Sequence, residues 1–221
     1  MDIEKIIYNR HSVRRYLDKN IEPDKVKKLN DLIEKINKEE NLNIQLIQND
    51  KDTFAKYKLH YGKIYNCSNY IALIGPKSKS LEEKIGYNGQ KIVLLAQSLG
   101  LNTCWVAAGY NKNAINARIN KGEKTVCVLA IGYGSYQGRK PAGKKYDDVT
   151  NVKKAPAWFN KGVEYALLAP TAMNQQKFEV FLYENNIVEI KSKFGILVKV
   201  DLGIVKYHFE LGAGKENFRW K

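Results

Sequence analysis

Behind Glu22-Pro23-Asp24, the residues Val26, Leu29, Leu32, Ile33 and Ile36 recur at helical spacing. That period predicts an amphipathic helix opened by a proline, at a position where its missing N–H costs nothing. The polar cluster from Asn37 to Asn43 closes it. A second helix is predicted from Leu81 to Leu99, with Ile85, Ile92, Leu95, Ala96 and Leu99 on one face. Val93 and Leu94 widen that stripe, so the helix reads as buried on most sides, and Gly100 reads as its left-handed cap. Asp2 to Tyr8 reads as a short helix and Asn113 to Ile119 as another. Apolar runs predict strands at Ile44–Ile47, Tyr70–Ile74 (stopped by Gly75-Pro76), Thr103–Gly109 and Thr125–Ile131. The last is wholly apolar, as at the centre of a sheet.

From Gly132 to Pro156 the hydrophobic period disappears, and Gly, Lys and Tyr dominate. A loop of that length marks a functional segment or a boundary. We place two segments around it, residues 1–150 and 151–221. In the second, Trp158–Leu168 reads as a helix ended by Ala169-Pro170. Phe178–Tyr183 and Ile187–Lys191 read as a hairpin around Glu184-Asn185-Asn186. Asp201 reads as the cap of a helix carrying Leu202, Val205, Phe209 and Leu211, followed by a short tail at Phe218–Trp220. The pattern is α+β.

Of the 221 residues, 44% are hydrophobic, enough for a packed core. No apolar run approaches the roughly 20 residues of a membrane span, and the start of the chain is acidic, without an apolar signal core. The expectation is a soluble, cytoplasmic protein that does not engage a membrane. The three cysteines, Cys67, Cys104 and Cys127, form no C-x-x-C pair, and the three histidines are scattered. Neither a disulfide framework nor a metal site is expected. A net charge of +14 raises nucleic-acid binding as a rival reading. The lysines, however, are spread along the chain and interleaved with acids, as on solvated helix faces. We therefore expect no nucleic-acid partner.

Two distant stretches carry candidate chemistry. Arg10-His11-Ser12-Val13-Arg14-Arg15-Tyr16 offers guanidiniums and a hydroxyl on alternate residues. If extended, it turns Arg10, Ser12 and Arg14 to one side, a set suited to phosphate. Leu168-Ala169-Pro170-Thr171-Ala172-Met173-Asn174-Gln175-Gln176-Lys177-Phe178 ends a helix with a turn carrying primary amides. Those amides can pair with a heterocycle edge or satisfy local backbone groups. Gly132-Tyr133-Gly134-Ser135-Tyr136-Gln137-Gly138 misses the dinucleotide fingerprint by one residue and precedes no periodic helix. Gly212-Ala213-Gly214-Lys215-Glu216 lacks the hydroxyl residue of a P-loop. With no nucleophile set, the chemistry points to a bound cofactor.

These residues resemble the nitroreductase family. Arg10–Tyr16 is similar to its R-x-S-x-R-x-[FY] element, Gly100–Gly109 to its strand and turn, and Leu168–Phe178 to its A-P-S-x-x-N-x-Q element. The late position of the last element resembles the TM nitroreductase branch, in which one chain carries two unequal halves. The resemblance implies a nitroreductase-like mixed sheet flanked by helices, an intrachain pseudo-dimer with one complete site, and FMN as cofactor. It implies NAD(P)H as donor and a small electron acceptor such as a nitroaromatic or a quinone. It puts Arg10, His11 and Ser12 at the FMN phosphate and Arg14 at the ribityl chain or pyrimidine edge, with an electrostatic role. It puts the backbone of Val106, Ala107, Ala108 and Gly109 beside the ring, and Pro170, Thr171, Asn174 and Gln176 at its edge. Arg139 or Lys144 would close over the phosphate. Ala107 and Ala108 stand where the family usually has Gly-Gly, and Lys177 where it has Pro. The paired halves imply a monomer, with a homodimer left open. A flavin-binding protein without efficient turnover is the alternative.

Overall fold

The computed structural model describes residues 2–55, 63–139 and 142–221. The chain divides into two compact units that are not consecutive in sequence. The first gathers Asn9–Leu81 and Ile92–Lys140, the second Asp2–Tyr8, Glu82–Lys91 and Pro141–Lys221.

In the first unit, the apolar runs pair into a four-stranded antiparallel sheet. Its strands are β1 (Gln45–Ile47), β2 (Tyr70–Pro76), β3 (Asn102–Val106) and β4 (Glu123–Gly132), in the order β1-β2-β4-β3. The wholly apolar strand is an inner one, as its composition predicts. β2 runs on through Gly75 and Pro76, with a bulge between Leu73 and Ile74. Helix α2 (Pro23–Glu40) buries Leu29, Ile33 and Ile36, and Asn41 ends it in the left-handed conformation. Asn37 ties its last turn to the strand that follows. The Asn37 amide accepts from the Ile44 N–H at 2.8 Å and donates to the Ile44 carbonyl at 2.9 Å. The core on one side of the sheet joins Val13, Tyr16, Tyr70, Ala72, Cys104, Val106, Val128 and Ala130.

A one-turn helix, α3 (Asp52–Ala55), stands between β1 and β2, and the residues of α4 (Leu81–Ser98) are divided between the units. Its second half buries Ile92, Val93, Leu94 and Ala96, and Gly100 follows with φ 76°.

The second unit holds α1 (Ile3–Asn9), the first half of α4, α5 (Ala157–Leu167), α6 (Val198–Ala213) and a three-stranded sheet. In that sheet β5 (Phe178–Tyr183) and β6 (Ile187–Ser192) form the predicted antiparallel hairpin. The C-terminal segment, read from sequence as a tail, instead adds β7 (Arg219–Trp220) in parallel to β6. An aromatic stack explains the difference. Phe218 lies 5.2 Å from Phe209 and 4.9 Å from Trp220, so the segment is drawn onto α6. On the same helix His208 is fully buried, with Nδ1 3.0 Å from the Tyr165 carbonyl and Nε2 2.8 Å from the Gln90 amide nitrogen.

The crossing of α6 with α4 is reciprocal. A Cβ built on Gly86 would lie 2.0 Å from the Val200 carbonyl oxygen, and one on Gly203 would lie 2.0 Å from the Glu83 carbonyl oxygen. Gly86 stands five residues after Leu81, and Gly203 five residues after Val198. Each glycine thus meets the carbonyl of the third residue of the other helix. Backbones this close leave no room for any side chain.

Two expected elements are corrected. Asn113–Ile119 is not a helix; only Lys112–Ala114 makes a 3-10 turn, capped by the Asn111 side chain. Asp201 does not cap α6. The helix starts three residues earlier, at Val198, and Asp201 faces the turn after α5 from inside the first turn.

Candidate functional site

In the first unit, the basic heptapeptide is extended and stitched to three neighbours. Ser12 bridges Thr103 at the edge of β3, Arg15 bridges Tyr65, and Tyr16 bridges Gly134. The Val13 N–H donates to the Thr103 carbonyl at 3.0 Å, and the Ser135 N–H to the Arg15 carbonyl at 2.9 Å. The glycine-rich stretch 132–138 covers this segment. A Cβ on Gly138 would meet the His11 Cβ at 2.6 Å, and one on Gly134 would meet Val13 at 2.8 Å. Gly138 has φ +81°, which a side chain adopts only with strain. Asn102 holds the cover down: its Oδ1 accepts from the Gly134 N–H at 2.9 Å, and its Nδ2 donates to Gln137 at 3.1 Å. The near-miss of a dinucleotide turn is therefore a clamp on Arg10–Tyr16. The sequence offered no sign of the role of Asn102.

Arg10, Ser12 and Arg14 take alternate positions in the extended segment, and all three act on the buried thiol of Cys104. Burial pushes that thiol up, while Arg14, Arg10 and the Ser12 hydroxyl pull it the other way. Arg15 points elsewhere, its guanidinium 4.7 Å from the centre of the Tyr65 ring. Arg10 is the unusual member. Only 7% of it is exposed, and its Nε finds no hydrogen-bond partner. Burial lowers its pKa to about 10. A buried cation with an unmatched donor costs free energy unless an anion arrives. After β3, Val106 and Gly109 are buried, Ala107 is half-buried and Ala108 is exposed. Arg139 is exposed.

In the second unit, the turn after α5 is made of left-handed residues. Met173, Asn174 and Gln176 have φ of 53°, 52° and 44°. Such conformations cost energy in non-glycine residues and persist only where surrounding bonds hold them. The Thr171 hydroxyl accepts from the Gln176 N–H at 3.0 Å, and the Thr171 carbonyl from the Asn174 N–H at 2.9 Å. Asp201 accepts from the Ala172 N–H at 2.9 Å and from the Gln175 amide at 2.8 Å. Gln176 is buried. Its amide donates to the Leu167 carbonyl at 2.8 Å and accepts from the Lys144 N–H at 2.6 Å. The Lys144 ammonium donates to the Gln176 carbonyl at 2.7 Å. Gln176 and Lys144 therefore hold each other, and the Gln176 amide is spent on protein partners rather than offered outward. Asn174 is exposed, and its Nδ2 donates to the Ala142 carbonyl at 2.5 Å. Pro170 is half-buried at the start of the turn.

Among the described residues, no cluster of His, Cys, Asp and Glu could hold a metal ion, and no helix is long and apolar enough to cross a membrane.

A sequence model of the family described as "Putative TM nitroreductase" matches residues 2–213. A "putative nitroreductase" from Thermotoga maritima is 26% identical, with a TM-score of 0.64; the match covers 96% of this chain and 83% of that one. A "Putative NADH dehydrogenase/NAD(P)H nitroreductase" from Bacteroides thetaiotaomicron is 20% identical, with a TM-score of 0.54, over 67% of this chain and 96% of that one. A "Putative NADH Oxidase" from Clostridium acetobutylicum is 19% identical, with a TM-score of 0.53, over 68% and 99%. The last two likenesses speak to the fold. No curated protein matches the chain.

Proposed function

The chain belongs to the TM nitroreductase family, and from that premise we propose that it is an FMN-dependent oxidoreductase, taking hydride from NAD(P)H and passing it to a small acceptor such as a nitroaromatic or a quinone. One observation carries the reading: the buried Arg10 guanidinium has an Nε with no partner, beside Ser12 and Arg14. A phosphate monoester supplies what that donor lacks, a dianion with oxygens able to accept from several donors at once. The residues present fit the group.

When bound, FMN supplies a ring that accepts and releases electrons in pairs. The chain's own residues bind and orient. Arg10 and Ser12 hold the phosphate, with His11 beside them under the Gly138 clamp. Arg14 places positive charge at the ribityl chain or the pyrimidine edge, where charge develops on reduction. The backbone from Val106 to Gly109 would flank the ring, with Ala107 and Ala108 setting how closely it could approach. Arg139 is free to swing toward the phosphate from an exposed position, whereas Lys144 serves the turn. In the second unit, Asn174 offers its amide oxygen, its nitrogen being held by the Ala142 carbonyl, while Pro170, Thr171 and Gln176 fix the turn that carries it.

We further propose that residues 1–150 and 151–221 are unequal nitroreductase-like halves and that both serve one cofactor. The reciprocal glycines of α4 and α6 support this. An isologous contact, in which each partner presents the same element to the other, is the mark of a two-fold interface. Here both copies of the element belong to one polypeptide.

The visible spectrum of the purified protein and its steady-state oxidation of NADH or NADPH test the reading. A yellow protein that turns over with a quinone or nitroaromatic supports it. A yellow protein without turnover would make it a flavin carrier or sensor. A colourless protein that takes up no FMN would overturn it.

A further inference from the structure

The turn that presents Asn174 has three of its six residues in the left-handed region, and no glycine among them. Something must hold it. Lys144 reaches its last residue, Gln176, and Asp201, in the first turn of α6, reaches its middle, with one oxygen on the Ala172 N–H at 2.9 Å and the other on the Gln175 amide at 2.8 Å. The same Gln175 amide nitrogen donates to the Ile196 carbonyl at 2.6 Å, which ties in the segment between β6 and α6. We infer that Asp201 is the positioning residue of the Thr171–Gln176 turn, and that its carboxyl group locks the shape in which the turn offers Asn174 to a ligand. The inference rests on the proposed flavin reading for the identity of that ligand, though not for the lock itself.

The lock works because the carboxyl group takes one partner on each oxygen. A protonated carboxyl keeps acceptor capacity beside its O–H, so protonation does not by itself release Ala172 or Gln175. Asp201 is buried, and burial raises its pKa to about 6, so a turn that frees the carboxyl to water is favoured as the pH rises through 6. The charged side chains on the surrounding segments are Lys177, Lys193 and Lys199, together with Glu83 of α4. Lys193 pairs with Glu179, and Glu83 with Lys206. The forces on the Asp201 carboxyl are burial and the two hydrogen bonds.

Hydrogen–deuterium exchange of a peptide covering 170–177, read on the FMN-free protein at pH 7.5 and pH 5 and corrected for intrinsic rates, tests the lock. Protection in the wild type is expected to rise about tenfold at the lower pH, because the locked turn binds the Asp201 proton more tightly than a released one does. Asp201→Asn keeps the size and one acceptor; it is expected to be less protected than the wild type and to show no pH dependence. Gln175→Ala, which removes the partner rather than the carboxylate, is expected to loosen the same peptide at pH 7.5. Equal protection in the wild type at both pH values would overturn the inference, as would an Asp201→Asn variant that keeps the pH dependence. A parallel FMN titration separates the two readings. Loss of the lock alongside normal FMN binding refutes only the role of Asp201, whereas an intact lock with no FMN binding refutes only the flavin.

Discussion

Gly86 and Gly203 occupy equivalent places in α4 and α6, and each fills the gap opposite a carbonyl of the other helix at a spacing of 2.0 Å from where a Cβ would stand. The contact is symmetric although the two helices differ in most of their residues. Gly86→Ala and Gly203→Ala should therefore destabilise the protein to a similar degree, each by about 3 kcal/mol or more, because the clash is with backbone that cannot rotate away. Urea denaturation of the two variants checks this. A loss under about 1 kcal/mol in either one would mean that the helices do not cross so closely.

Arg10 should trade stability for binding. Its charge is buried and its Nε unmatched. Arg10→Met, similar in length and uncharged, should leave the FMN-free protein as stable as the wild type or more stable by about 1–4 kcal/mol. A fall in the melting temperature of the FMN-free variant would show that Arg10 serves the fold instead.

The thiols should be inert in the folded state. Cys67, Cys104 and Cys127 are all buried, and burial pushes Cys67 up to about 12 and raises Cys104. A thiol of high pKa and low exposure is a poor nucleophile. Ellman's reagent at pH 8 should label none of the cysteines within minutes, and all of them once the protein is unfolded. Rapid labelling of Cys104 in the native state would mean that the Arg10–Ser12–Arg14 cluster is open and its thiol ionised.

Asp201 should leave a mark on stability as well as on the turn. Its pKa is raised from 3.8 to about 6 in the folded chain. The folded state therefore binds the proton more tightly than the unfolded state does. The stabilisation this gives is complete below pH 3.8 and is lost as the pH rises through 6. The stability of the wild type relative to Asp201→Asn should then drop by at most about 3 kcal/mol between pH 4 and pH 7. A difference that stays flat, or rises with pH, would contradict this assignment.

How much of this was legible in the sequence depended on how local each signal is. The helices at Pro23–Glu40 and Leu81–Ser98, the inner strand β4 and the β5–β6 hairpin announce themselves through periodicity and turn residues. So did the basic heptapeptide, because alternate spacing in an extended segment is a local property. What was missed depends on tertiary packing. The start of α6 lies at Val198 rather than beyond Asp201, because Asp201 bonds a turn nearly thirty residues away instead of its own helix. Trp220 pairs with β6 only because Phe209 and Phe218 draw it there. Nothing local singles out Gly86 or Gly203, since the sequence of one helix does not say which surface of the other it will meet. At Gln176 a free amide and a spent one read alike in sequence, and its partners Lys144 and Leu167 emerge only from the fold.

The account turns on an anion seated at Arg10, and an FMN titration of the cofactor-free wild type beside Arg10→Met, followed by quenching of flavin fluorescence, tests that most directly. The wild type should saturate at one FMN per chain, and Arg10→Met should bind at least about a hundredfold more weakly, as befits loss of a buried charge-assisted contact. Equal affinity in the two proteins, or saturation at one FMN for every two chains, would contradict it.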